Sequence, residues 1–191
     1  MEPGIDTGPI VYQSFFPIDD SATALSLSFK CVREGLKLMV KLLEVASMKP
    51  DRIPLVPQDL RQREYFGGEV PNNGWLLWCS PANRVVNFVR ACDYLPFHSP
   101  WGYPRTQLSD REIAVVKTKA TGLPCDALPS TVGRSLDSGV QVACLDEWVL
   151  VTQLKIGDQY VNAVDVLKSG DHLGSQTYDR TSGQSTHHVG R

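Results

Sequence analysis

Residues 4–10 read Gly4-Ile5-Asp6-Thr7-Gly8-Pro9-Ile10, and the reading of that stretch decides what fold the rest must have. Asp-Thr-Gly is the triplet on which aspartic proteases place a catalytic carboxylate. In that chemistry two carboxylates share a proton, so the triplet must recur or the chain must dimerise. No second Asp-Thr-Gly or Asp-Ser-Gly occurs in the 191 residues. The next residue is Pro9, which has no N–H to offer a neighbouring carboxylate. A long helical pattern follows soon after, whereas protease chains are largely β. The residues therefore argue against an aspartic protease. What remains is an aspartate that closes a turn, or one that manages a proton in another enzyme.

Working outward, residues 8–16 (GPIVYQSFF) are apolar and β-branched enough to predict a strand leaving the turn. Pro17 to Ser21 form an acidic cluster suited to cap a helix. Leu25, Phe29, Val32, Leu36, Met39 and Leu43 recur at spacings of 4, 3, 4, 3 and 4. That period places them on one face of a helix over about 22–46. Residues 48–74 carry Pro50, Pro54, Pro57, Pro71 and the pair Gly67-Gly68, and read as a long irregular connection. Ser80-Pro81 then supplies an N-cap and a first-turn proline for a short helix ending near Ala91.

After a second loop, 92–106 (CDYLPFHSPWGYPRT), the pattern shifts to period two. EIAVVKTKA, GVQVACL and EWVLVTQLK read as short strands, and NAVDVLK as a short helix stopped by Gly170. The segment after Gly174 is polar and aperiodic, and is expected to be a disordered tail. The expected organisation is an α/β unit over 1–107, a small barrel-like β unit over 108–174, and the tail over 175–191.

Composition limits the partners. Net charge is −2 and pI about 6.1, so the chain as a whole has no attraction for nucleic acid or acidic membrane. No run approaches the roughly 20 apolar residues of a membrane span. The five cysteines include no CxxC pair, which leaves a zinc or redox site without support and predicts buried thiols in a reducing cytoplasm.

Several of these features occur together in one pattern. The turn GIDTGPIVYQ, the capped helix after Pro17-Ile18-Asp19-Asp20, the loop ending Tyr65-Phe66-Gly67-Gly68, Trp78, and the helix ending Asn87-Phe88-Val89-Arg90-Ala91 resemble the 10-formyltetrahydrofolate-dependent formyltransferase family. The later run of Pro129-Ser130-Thr131-Val132, Gly139-Val140, Asp165-Val166-Leu167 and Gly170 is similar to that family's C-terminal OB-like domain. The resemblance covers about 1–173 and is sharpest over Gly4–Ile10. It implies a remnant of a Rossmann-like formyltransferase domain followed by an OB-like barrel.

These enzymes move a formyl group from 10-formyltetrahydrofolate to an amine, with no metal. The attacking amine must lose a proton, and the oxyanion that forms needs preorganised donors. An Asn and a His two residues apart supply the donors in the family, and the aspartate of the turn orients the His and the proton relay. By resemblance Asp6 takes that aspartate's role, and Gly4, Ile5, Thr7 and Gly8 form the loop that lies close to the folate. The chain contains no Asn-x-His, and Met1 falls at an internal position of the family's motif. It is therefore expected to be a fragment or one half of a split enzyme, inactive alone. Its exposed apolar surface would be covered by self-association or by the missing half in trans.

Two acceptors compete. Residues 110–173 carry six basic against nine acidic side chains, a net of −3, which is a poor surface for the methionyl-tRNA that some family members formylate. Tyr94, Phe97, Trp101, Tyr103 and Arg105 in the loop 92–106, with Arg90 before it, are placed to shape a pocket for a small amine such as an amino-sugar nucleotide or an amino acid. A loop that only seals a domain junction fits the same residues. A non-catalytic interaction module stays as a third reading.

Overall fold

The computed structural model describes residues 6–174. Gly4, Ile5 and the tail expected over 175–191 lie outside them. The chain divides into two compact units, one running up to Val70 together with Arg90–Trp101, the other Pro71–Val89 together with the chain from Gly102 onward. This division differs from the expected break at 107, because residues 71–89 supply a helix, Leu76 and Trp78 to the core beneath the sheet.

In the first unit, helix α1 spans Ala24–Met48. Its cap is Thr23 rather than the acidic cluster at 17–21: the Thr23 hydroxyl accepts from Ser26 N at 3.3 Å, and Ser26 Oγ accepts from Thr23 N at 2.9 Å. The strand expected over 8–16 is not formed. That segment makes a single antiparallel bridge, Ile10 to Val56, with N–H···O distances of 2.8 and 3.0 Å. No Rossmann-like parallel sheet is present among the described residues. The helical period of α1 is as expected, yet Phe29, Val32, Leu36, Met39 and Leu43 are each more than half exposed. Only Cys92 is buried among the described residues of this unit.

The second unit holds the core. Helix α2 spans Ala82–Ala91 and buries Ala82, Val85, Val86 and Val89 on one side. Its first free N–H is met by a side chain distant in sequence, since Asp146 Oδ1 accepts from Ala82 N at 2.8 Å. Ser80 is thus not the cap that sequence suggests. A carboxylate at this position satisfies an orphan donor and faces the positive end of the helix dipole.

The sheet has seven antiparallel strands: β1 (Arg105–Leu108), β2 (Arg111–Pro124), β3 (Val132–Leu136), β4 (Gly139–Ala143), β5 (Glu147–Ile156), β6 (Gln159–Asn162) and β7 (Leu173–Gly174). Their order is β3-β4-β5-β2-β1-β7, with β6 on β5. The sheet curls so that its ends meet: Val132 N donates to Asp171 O at 2.8 Å, Gly170 N to Val132 O at 2.9 Å, and Leu173 N to Ser130 O at 3.0 Å. The expected barrel-like unit is therefore a curled antiparallel sheet. The short helix expected over 162–168 reduces to a 3-10 turn at Ala163–Asp165.

Alternation places Ile113, Val115, Val140, Val142, Val149 and Val151 inside, against α2, Leu76 and Trp78, and an irregularity in β5 between Val151 and Gln153 brings Leu154 to the same face. Val116 is buried beside Val115 because a bulge interrupts the β2–β5 register between Val115 and Lys117. Thr106, fully buried, accepts from Trp78 Nε1 at 3.0 Å and donates to Gly174 O at 2.9 Å, which ties the segment before α2 to β1 and β7.

Candidate functional site

Asp6 lies in a turn with φ 54° and is exposed. Asp is among the few residues that adopt this left-handed conformation readily. Two contacts hold the turn. Gln58 Nε2 donates to Asp6 O at 3.3 Å and also to Gly8 O, and the Ile10–Val56 bridge begins two residues beyond Gly8. A side-chain amide across two carbonyls fixes the backbone without engaging the carboxylate. Gln58 was not singled out from sequence. Its signal is slight: one amide side chain in a proline-rich loop. Thr7 and Gly8 are half-buried beside Asp6.

Near the start of α1, Asp19 accepts from both the hydroxyl and the backbone N–H of Ser21. These bonds hold its carboxyl below the usual value, with smaller contributions from Lys30 and Arg90. Lys30 Nζ donates to Pro17 O at 2.6 Å and lies 4.8 Å from the Phe16 ring centre, and Lys41 lies 4.4 Å from that of Tyr12. The segment 12–17 is thus strapped to α1 by cations instead of being paired in a sheet.

The expected substrate residues fall in different settings. Arg90 lies in the last turn of α2, within reach of the Asp19 charge. Tyr94 is half-buried and Trp101 is half exposed in the loop after it. Arg105 belongs to the other unit and is engaged there: it lies 5.0 Å from the Trp75 ring centre, donates to Asn73 O at 2.6 Å, and pairs with Glu112 at 3.3 Å. Asp6, Thr7 and Gly8 are the sequence-identified residues that one local structure brings together.

The thiols depart from expectation. Cys92 and Cys144 are buried, Cys125 is partly so, and Cys31 and Cys79 are exposed; all five are free. Burial pushes the Cys92 thiol up to about 11. Burial, with Asp146 and Cys125 nearby, pushes Cys144 up to about 12. Among the described residues no helix is long and apolar enough to cross a membrane.

Residues 70–170 match the family model described as formyl transferase, C-terminal domain. Two curated relatives carry the name methionyl-tRNA formyltransferase. That of Nitrosococcus oceani is 25% identical over 93% of this chain and 51% of its own length; that of Pelobacter propionicus is 27% identical over 82% and 46%. The chain thus spans about half the length of these relatives. Among solved structures, an N-formyltransferase of Helicobacter canadensis in complex with folinic acid and dTDP-3-aminofucose has a TM-score of 0.58 at 18% identity, over 79% of this chain and 52% of its own. HypX of Aquifex aeolicus has a TM-score of 0.54 at 15% identity, over 87% and 29%. At these identities the two structures show likeness of fold alone.

Proposed function

Because the chain belongs to the formyl transferase family, with that family's C-terminal domain over 70–170, we propose that it takes part in formyl transfer from 10-formyltetrahydrofolate to the amine of a small-molecule acceptor. In this reading the unit containing α1 is the closing part of the Rossmann-like catalytic domain, and the curled sheet is an OB-like barrel. The observation that carries it is the Asp6 turn. Its left-handed backbone is clamped by Gln58, and its carboxylate has no described hydrogen-bond or ion-pair partner, so it is free to hold a proton relay.

The donor supplies the formyl group. The acceptor nitrogen adds to the formyl carbon, the bond to the donor nitrogen breaks, and the proton released by the acceptor nitrogen passes to the donor nitrogen. Asp6 contributes by orienting the group that moves that proton. The half-buried loop of Thr7 and Gly8, with Gly4 and Ile5, would lie along the donor. Oxyanion donors of the Asn-x-His type do not occur in the 191 residues and must be supplied with the chain. The five free thiols fit a cytoplasmic setting.

The acceptor reading is supported by the acidic balance of 110–173, which disfavours a phosphate-rich partner, and by a solved structure of similar fold described with an amino-sugar nucleotide. The names of the curated relatives favour methionyl-tRNA instead. Combining the chain with a family N-terminal half that carries Asn-x-His, and offering a dTDP-amino sugar and methionyl-tRNA side by side, separates the two. The proposal expects formylation of the sugar amine. Formylation of methionyl-tRNA alone would overturn the choice of acceptor.

A further inference from the structure

The outer face of the sheet carries a cleft that the formyl-transfer reading does not use. On β4, Val140 and Val142 enter the core, so Gln141 and Ala143 face the other way. Register sets Ala143 opposite Trp148 and Gln141 opposite Leu150. Gln141 and Trp148 are therefore diagonal neighbours on that outer face. Trp148 lies on the backbone of Gly133, where a Cβ would stand 2.6 Å from Cζ3 and 2.9 Å from Cη2. The end of β2 bends around it: Gly122 has φ 66°, and the β2–β5 register shifts between Ala120 and Pro124. The Thr121 hydroxyl donates to Trp148 O and accepts from Leu123 N.

The result is a cleft of about 500 Å³, within the roughly 300–1,000 Å³ span of small-ligand sites. Leu123, Pro124 and Leu136 form apolar walls, and Arg134 is the charged residue of the lining. Gln141 is 8% exposed and lines the cleft, where its amide, not hydrogen-bonded within the described residues, is reached by solvent. An amide that opens onto the cleft offers donors beside an acceptor to a ligand that displaces water there.

We propose that this cleft binds a nucleoside monophosphate, its base stacked on Trp148, the donor–acceptor edge of the base paired with the Gln141 amide, and its phosphate held by Arg134. Each group suits its part: an indole stacks on any base, a carboxamide reads adjacent donor and acceptor atoms, and a guanidinium forks a phosphate. The net charge of −3 over 110–173 decides between one nucleotide and a strand. A strand needs many cations along its backbone, and a monophosphate needs one.

The test titrates AMP and dTMP into the whole ¹⁵N-labelled chain, with adenosine and inorganic phosphate as controls. The expected result is a saturable shift of the Gln141 side-chain NH₂ and the Trp148 indole N–H. Arg134→Gln, an exposed position, should weaken AMP about tenfold while leaving adenosine unchanged. Gln141→Leu should weaken both AMP and adenosine about fivefold. The proposal is overturned if neither resonance saturates at millimolar nucleotide, if inorganic phosphate alone reproduces the shifts, if Arg134→Gln leaves AMP affinity unchanged, or if the saturable shifts fall at Gln58 instead.

Discussion

Asp6 is held by its backbone from one side and left open on the other, so the choice of substitution matters. Asn tolerates the same left-handed φ and removes only the charge, whereas Ala would add backbone strain. The formyl-transfer reading thus expects Asp6→Asn to leave thermal stability unchanged. Gly139 is constrained in the opposite sense, since a Cβ there would run into the carbonyl of Val151 across the β4–β5 ladder. Gly139→Ala should destabilise by about 1–3 kcal/mol, read as a lowered urea midpoint. The buried thiols give a pH prediction. With Cys92 near 11 and Cys144 near 12 against an ordinary 9.0, the unfolded chain releases these protons first. Stability is then full below about pH 9 and falls as pH rises toward 12. At pH 8, iodoacetamide should label Cys31 and Cys79 well before Cys92 and Cys144. The sequence carried the identity of the Asp6 turn but not its fastening, because a single glutamine 52 residues away leaves no local pattern.

Among the elements, β2, β4 and β5 were legible because buried and exposed residues alternate along them or run together in short apolar stretches. β1 (RTQL) and β3 (VGRSL) were not, because they are short and largely polar or open. Their pairing is decided by β2 and β4, not by their own composition. The 3-4 apolar spacing makes helix α1 legible, whereas its cap falls on Thr23, two residues beyond the acidic cluster. Thr23→Ala should cost about 1 kcal/mol, measured by thermal or denaturant unfolding of the helix signal. The cap of α2 could not be read locally, since Asp146 comes from the β4–β5 turn. Asp146→Ala should cost about 1–2 kcal/mol in the cooperative unfolding of the sheet unit.

For the whole molecule, the expected break at 107 and the compact units of the structure differ, since residues 71–89 fall with the sheet. Loop-like composition over 71–80 hides the fact that Leu76 and Trp78 are among its most buried residues. The apolar stripe of α1 belongs to a unit with almost nothing buried. A stripe of that size on one helix favours association. The isolated chain should therefore self-associate with concentration in sedimentation, and Val32→Lys with Leu36→Lys should suppress this without loss of helical signal. The family membership and the Asp6 turn meet in one measurement: formyl transfer from 10-formyltetrahydrofolate by wild-type and Asp6→Asn chains, each combined with a family half that carries Asn-x-His. Turnover lowered by at least about 100-fold on substitution, with none from the chain alone, is the predicted result. Equal rates for the two chains, or turnover by the chain alone, would contradict it.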